Sequence, residues 1–133
     1  MLLLLHTADE KKVFIGLAEK GKLTAKKIFD AQYRQAEKLM PALDKFLGKQ
    51  FDKLKGIAVV CGPGPFTALR IGIAVGNTLA WGLKIPVAGV KLDEFSGYDQ
   101  LAAVGEKKIK TAKQGSIVEP FYGKEPSITL KKR

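Results

Sequence analysis

The sequence has one cysteine, Cys61, and one histidine, His6, among 133 residues. A disulfide needs a second cysteine, and a zinc site built from Cys and His needs several ligands of these types, so both are excluded. The apolar run Met1–Leu5 lacks a basic lead and is too short for a signal peptide. No segment approaches transmembrane length. These absences predict a cytoplasmic protein without membrane contact.

Acidic residues are also few: 13 Asp and Glu stand against 23 Lys and Arg, which gives a formal net charge of +10. Residues 105–133 hold eight basic and three acidic residues and so carry half of this charge. A basic end is typical of a chain that meets RNA or an acidic partner, and equally of a solvated tail. The hydrophobic content of 46% is that of a soluble globular domain.

Apolar patterning predicts three strands at the start of the chain. Leu2–Leu5 is continuously apolar, as in a strand buried on both faces. Val13–Ala18 and Leu23–Phe29 follow, joined by the hairpin turn Glu19–Lys22, in which Gly21 supplies positive φ. The short connections predict an antiparallel meander. Its third strand is poorer in apolar residues and is therefore expected near a sheet edge.

A first helix is expected next, with Asp30 as a possible N-cap, Gly48 at the C-terminal cap and a bend at Pro41. Its apolar residues recur at steps of three and four, at Tyr33, Ala36, Leu39, Met40, Leu43, Phe46 and Leu47. This spacing gives the helix an apolar face for packing.

Two strand–helix units follow. Ile57–Cys61 leads through a glycine-rich turn into the helix Phe66–Leu83. Pro86–Val90 leads into a mostly helical stretch, Leu92–Val104, which Gly97 weakens. The order β-β-β-α-β-α-β-α predicts an α/β protein with a mixed five-stranded sheet. This is the RNase H-like unit, which also forms one lobe of actin-like ATPases.

The predicted lobe covers residues 1–104, and residues 105–133 are expected to form a separate basic C-terminal tail. The apolar pattern fades from Gly105 onward. Ile117-Val118 and Ile128-Thr129-Leu130 are candidate short strands, but Pro120 and Pro126 interrupt the region.

The glycine-rich turn contains Gly62, Pro63, Gly64 and Pro65, with Thr67 just beyond it. The glycines allow backbone angles that other residues resist, and Pro65 suits the first turn of a helix. Such a turn can aim free N–H groups at an anion; the alternative is a tight turn that simply needs glycine. No Gly-Lys-Ser/Thr follows, so it is not a Walker A loop.

Residues Gly62–Gly72 resemble the G-P-G-S-F-T-G-L-R-I-G signature of the TsaB (YeaZ-like) family, with departures at Pro65 and Ala68. The resemblance continues through Leu79–Leu83, Ile85–Val87 and Gly89-Val90. It implies an RNase H-like fold, normally present as two such lobes. The segment Pro120–Lys124 looks like the family's closing P-x-Y-x-R/K segment, so the tail resembles a vestige of the second lobe.

The resemblance implies a non-catalytic partner or scaffold subunit in threonylcarbamoyl modification of adenosine in tRNA. Its expected partners are a TsaD-like ATPase subunit, a TsaE-like ATPase, tRNA through the complex, and a second copy of itself in isolation. No cofactor is expected. Two alternatives remain open: a stand-alone RNA-binding domain, and an enzyme of the nucleotide hydrolase or peptidase kind.

Few residues are candidates for catalysis. The family pattern D-T-S corresponds here to His6-Thr7-Ala8, and an imidazole cannot replace a carboxylate as a magnesium ligand. Asp9 and Glu37 are the only plausible carboxylate pair for a metal nuclease. Glu37 alone matches the family's H-S-E. Cys61 is expected to be a buried core residue. No catalytic, metal or cofactor residue is therefore assigned.

The second helix carries a stripe of small residues at every fourth position, namely Ala68, Gly72, Gly76 and Ala80. Glycine inside a helix costs about 1 kcal/mol relative to alanine, so two on one face indicate that another backbone approaches closely. The favoured interpretation is contact with a partner helix, with Leu69, Arg70 and Ile73 beside the stripe. The alternative is packing against the protein's own sheet or first helix.

Overall fold

The computed structural model describes residues 1–123, in which five strands form one sheet of order β3-β2-β1-β4-β5. The strands are β1 Leu2–His6, β2 Lys12–Glu19, β3 Lys22–Asp30, β4 Gly56–Gly62 and β5 Val87–Lys91. β1, β2 and β3 form an antiparallel meander, while β4 is parallel to β1 and β5 is parallel to β4. The predicted mixed sheet is confirmed, with β3 at one edge.

Three α-helices cover the sheet: α1 Gln35–Leu47, α2 Phe66–Leu83 and α3 Tyr98–Thr111. β1 is continuously apolar because its side chains alternate between the two faces of the sheet, and helices cover both faces. Leu5 lies under α2 near Gly76, whereas Leu2 and Leu4 lie against Gly105 of α3. The element order is that of the RNase H-like fold, as predicted from the sequence.

The start of α1 differs from the prediction. Asp30 pairs with Lys12 in the β2–β3 ladder, so it ends a strand and does not cap a helix. The chain then turns at Tyr33, which has a φ of 63° and is 83% exposed, and Arg34 occupies the N-cap position. Gly48 does cap α1, with a φ of 54° and its N–H donating to the Asp44 carbonyl.

The bounds of α3 were also wrong in the prediction, which placed a helix over Leu92–Val104. Leu92–Glu94 is a 3-10 turn, and α3 begins only after Gly97, whose φ of 85° favours glycine. The helix then continues to Thr111, and Gly105 within it fits closely over Ala58 of β4. A boundary between two units at residue 104 stays a prediction, although α3 runs through it.

Ile117-Val118 does not form a strand. Val118 is nevertheless buried, because the Asn77 side chain of α2 makes two hydrogen bonds to its backbone. The other candidate strand of the tail, Ile128-Thr129-Leu130, lies outside the described residues.

The small-residue stripe of α2 faces the chain's own sheet, which corrects the favoured interpretation. A Cβ on Gly72 would overlap the side chain of Thr7, and a Cβ on Gly76 would overlap a methyl group of Val59. Ala68 and Ala80 are each 3% exposed. The close approach that the glycines allow is therefore between α2 and the strands β1 and β4.

This packing predicts opposite effects for one substitution at two glycines of α2. Gly76→Ala should lower the melting temperature, since overpacking costs about 1–3 kcal/mol and exceeds the gain in helix propensity of about 1 kcal/mol. Gly82→Ala should raise it, because nothing lies within 4 Å of a Cβ at that position. Thermal melting of both variants checks this, and a more stable Gly76→Ala would contradict the packing described.

Candidate functional site

The glycine-rich turn joins β4 to α2 and needs its glycines for close contacts. Gly62 has a φ of 120°, and a Cβ there would overlap the carbonyl oxygen of Phe121. A Cβ on Gly64 would lie 2.8 Å from the Cβ of Ala8. The Gly62–Pro63 peptide bond is cis. These contacts account for both glycines without a ligand.

Pro65 occupies the N-cap of α2 and not its first turn, which corrects the predicted position by one residue. Its carbonyl accepts the first helical hydrogen bond, from the Leu69 N–H at 2.9 Å. No side chain of the described residues caps this end of the helix. The N–H groups of the first turn are orphan donors of the helix, so anion binding near Thr67 stays a prediction.

A cleft of about 570 Å³ lies where the N-terminal ends of α1 and α2 meet. It is lined by Glu10, Tyr33, Gln35, Ala36, Pro65, Phe66, Thr67, Ala68 and Ile71. The deepest polar side chain is Gln35, which is 5% exposed and donates to the Glu10 carbonyl at 3.5 Å. The lining is mostly apolar, as in sites that receive an apolar group of a ligand or partner.

A second, shallower groove of about 290 Å³ continues along the two helices. Met40 of α1 and Ala74, Val75, Thr78 and Leu79 of α2 line it, and none of them is charged. One helical turn separates Met40 from Ala36, which lines the cleft. We call the cleft side and the groove together the α1–α2 surface and define it by Ala36, Met40, Ile71, Ala74, Val75 and Thr78.

The structure buries most of the residues that the sequence assigned to a partner contact. Of the seven residues assigned to a partner contact, six are buried inside the chain, namely Ala68, Leu69, Gly72, Ile73, Gly76 and Ala80. Only Arg70 is exposed. Sequence reasoning missed Ala74 and Thr78, four residues apart on the outer face, since the glycines gave a stronger small-residue signal.

His6 ends β1 in a half-buried position beside Phe95, with an edge-to-face ring distance of 5.9 Å. The Ala8 N–H donates to Nδ1 at 3.2 Å, so the neutral ring carries its proton on Nε2. Desolvation by burial lowers the pKa of His6 below its ordinary value, and the nearby charge of Asp9 only partly opposes this. The neutral imidazole is therefore favoured at pH 7, and His6 makes no ion pair with any residue from 1 to 123.

The two candidate carboxylates serve local structure. Asp9 accepts hydrogen bonds from the N–H groups of Lys12 and Lys11, and these bonds lower its pKa. Glu37 pairs with Arg34 at 3.3 Å on the surface of α1. Within residues 1–123, no group of three His, Cys, Asp or Glu side chains has the arrangement of a metal site.

Cys61 is 6% exposed, which confirms the predicted core position. Desolvation raises its thiol pKa. The protonated thiol at neutral pH is not the nucleophilic form that a cysteine peptidase uses. The helices described within residues 1–123 include none that is long and apolar enough to cross a bilayer.

Comparison with known proteins gives consistent matches. Residues 30–96, about half of the chain, match the family model described as TsaD, tRNA N6-adenosine threonylcarbamoyltransferase. The tRNA threonylcarbamoyladenosine biosynthesis protein TsaB of Bacillus subtilis (strain 168) is 30% identical over 117 residues, covering 81% of this chain and 49% of the relative. TsaB of Buchnera aphidicola subsp. Acyrthosiphon pisum is 26% identical over 93 residues, covering 68% of this chain and 38% of the relative.

Among solved structures, YeaZ from Pseudomonas aeruginosa superimposes with a TM-score of 0.61 and 30% sequence identity. The superposition covers 68% of this chain and 43% of YeaZ. The chain thus spans less than half the length of these relatives, between 38% and 49%.

The environment of His6 predicts a pH dependence of stability. The folded-state pKa is lower than the ordinary value of about 6.5, so the unfolded chain binds the proton first as the pH falls. Stability contributed by the neutral imidazole is present above about pH 6.5 and is lost below it. His6→Asn keeps an acceptor for the Ala8 N–H and does not titrate. Its melting temperature should fall less than that of the wild type between about pH 7.5 and pH 5.5; equal losses would contradict this assignment.

Proposed function

We propose that this chain, which belongs to the TsaB family, acts as a non-catalytic partner subunit in threonylcarbamoyl modification of adenosine in tRNA. Its relatives are named for tRNA threonylcarbamoyladenosine biosynthesis. The proposed partner is a TsaD-like ATPase subunit, the protein that the matching family model describes as the threonylcarbamoyltransferase. Self-association in isolation, contact with a TsaE-like ATPase and contact with tRNA through the complex stay predictions.

The α1–α2 surface is the observation that carries this proposal. Met40 is 43% exposed, and Phe66 at the adjoining cleft is 53% exposed. Neighbouring exposed surfaces that are mostly apolar are typical of sites of interaction. Ala74 and Thr78 present small side chains one turn apart on the outer face of α2. A partner helix can therefore approach α2 closely, while the glycines keep the opposite face against the sheet.

The ionisable groups support a role without catalysis by this chain. His6 stands at the end of β1 where the family pattern has Asp, and its burial favours the neutral ring. Asp9 is engaged by two backbone N–H groups, and the Cys61 thiol has a raised pKa. These residues offer neither a free carboxylate for magnesium nor an activated nucleophile.

A charge placed on the α1–α2 surface should prevent association. Ala74→Arg should raise the dissociation constant for the TsaD-like subunit of the same organism at least about tenfold, because contact would bury an unpaired guanidinium. Ala103→Arg is the matched control, since Ala103 is exposed on α3 at the opposite face of the sheet. Calorimetry measures the affinities, and light scattering of the chain alone reports self-association.

The proposed interface would be wrong if Ala74→Arg bound as tightly as the wild type, or if Ala103→Arg weakened binding as much. A wild-type chain that does not associate with the TsaD-like subunit would contradict the proposed function itself. Melting temperatures of both variants should stay close to that of the wild type, because both side chains point into solvent.

The isolated chain should neither hydrolyse Mg-ATP nor bind it tightly. Magnesium prefers oxygen ligands, and the end of β1 offers an imidazole in place of the carboxylate. Isothermal calorimetry with Mg-ATP is the measurement. A dissociation constant in the micromolar range would favour the alternative of a nucleotide hydrolase.

A further inference from the structure

The residues after α3 include an irregular segment, Val118–Tyr122, that is held against α2 and β4. The Asn77 side chain donates from Nδ2 to the Val118 carbonyl at 3.0 Å and accepts from the Val118 N–H at 2.9 Å. This pair of bonds fixes the backbone much as a neighbouring strand would. Val118 is 8% exposed, and it packs beside Gly89, where a Cβ would lie 3.0 Å from its Cγ1.

Phe121 is the second point at which the segment is held. Its N–H donates to the Cys61 carbonyl at 2.8 Å, at the end of β4. The Lys91 ammonium lies 4.3 Å from the centre of the Phe121 ring. With Val118 and Phe121 both anchored, the backbone that carries Tyr122 is held close to the N-terminal end of α2.

Tyr122 in turn holds Arg70. The Arg70 Nε donates to the Tyr122 hydroxyl at 3.0 Å, and the guanidinium carbon lies 3.8 Å from the centre of the Phe66 ring. The Phe66 and Tyr122 rings stack with centroids 5.3 Å apart. Only Nε is used by this contact, and within residues 1–123 no carboxylate lies within ion-pair distance of Arg70. Among the described residues, neither terminal nitrogen of Arg70 has a hydrogen-bond acceptor.

We propose that Tyr122 is a positioning residue, which holds the exposed Arg70 guanidinium ready to bind a carboxylate of the partner subunit. This inference rests on the proposed function. A guanidinium matches a carboxylate in bidentate geometry, and fixing it beforehand reduces the side-chain entropy lost on binding. Phe66 both stacks on Arg70 and lines the apolar cleft, so Arg70 lies at the rim of a surface suited to protein and not to a nucleic acid backbone.

Three variants test this proposal. Tyr122→Phe removes the hydroxyl and keeps the ring that stacks on Phe66, so the Arg70 Nε loses its acceptor while the segment stays in place. Arg70→Lys keeps the charge and loses the planar fork. Lys91→Gln removes the positive charge that lies over the Phe121 ring of the same segment. It leaves the contacts of Arg70 unchanged and is the matched control.

Tyr122→Phe should raise the dissociation constant for the TsaD-like subunit about two- to tenfold, which corresponds to the loss of one hydrogen bond of ordinary strength. Arg70→Lys should raise it at least as much, and Lys91→Gln should change it less than about twofold. The positioning itself is read from the Arg70 Nε–H signal in nuclear magnetic resonance spectra of the free chain. This signal should shift and exchange faster with water in Tyr122→Phe.

An unchanged Nε–H signal in Tyr122→Phe would overturn the positioning role, whether or not the partner binds. A changed signal with unchanged affinity in Tyr122→Phe would show that binding does not depend on this positioning and would overturn the proposal, and unchanged affinity in Arg70→Lys would overturn the role of Arg70 in recognition. If Tyr122→Phe weakened binding of a tRNA fragment and left the subunit affinity unchanged, the acceptor would be a phosphate and the carboxylate assignment would be wrong. Failure of the wild type to bind the subunit would count against the proposed function, and the Nε–H signal would still decide the positioning.

Discussion

The close contact between α2 and the sheet determines where the other parts of the candidate site lie. Gly72 lies against Thr7 of the loop after β1, and Gly76 lies against Val59 of β4. Neither position has room for a Cβ, because α2 packs very close to the sheet at these two points. The contact also buries the Thr7 hydroxyl, which has no hydrogen-bond partner in the described part of the chain. The N-terminal end of α2, held against the sheet in this way, lines the cleft together with the N-terminal end of α1.

The same packing explains why the ionisable residues near the ends of the strands serve structure. Asp9 caps the turn between β1 and β2 through two backbone N–H groups. His6 accepts from the Ala8 N–H and packs on Phe95, and Cys61 lies beneath Gly89 and the segment that contains Val118. Each group has a local partner or a desolvated environment that disfavours its reactive form.

The segment Val118–Tyr122 connects the far end of the described chain to the glycine-rich turn. Gly62 and Gly89 have no side chains, and this lets Phe121 and Val118 approach β4 and β5. These two glycines, which the sequence places in a turn and a strand, therefore also make room for a segment that is distant in the chain. The result is a continuous region at the N-terminal end of α2 that combines an apolar cleft with an oriented cation.

The sequence by itself determined the strands, the bounds of α2, the cap at Gly48 and the RNase H-like order, because periodicity, turn residues and caps act over a few neighbouring residues. It also determined family membership, through the motif from Gly62 to Gly72. Only the tertiary structure decided that Asp30 belongs to a strand, since its ladder partner Lys12 is 18 residues away. The same holds for the side of α2 that meets the sheet and for the contact of Arg70 with Tyr122, 52 residues apart. Spacing along a helix shows which residues share a face, but what that face meets depends on packing between elements that are distant in the chain.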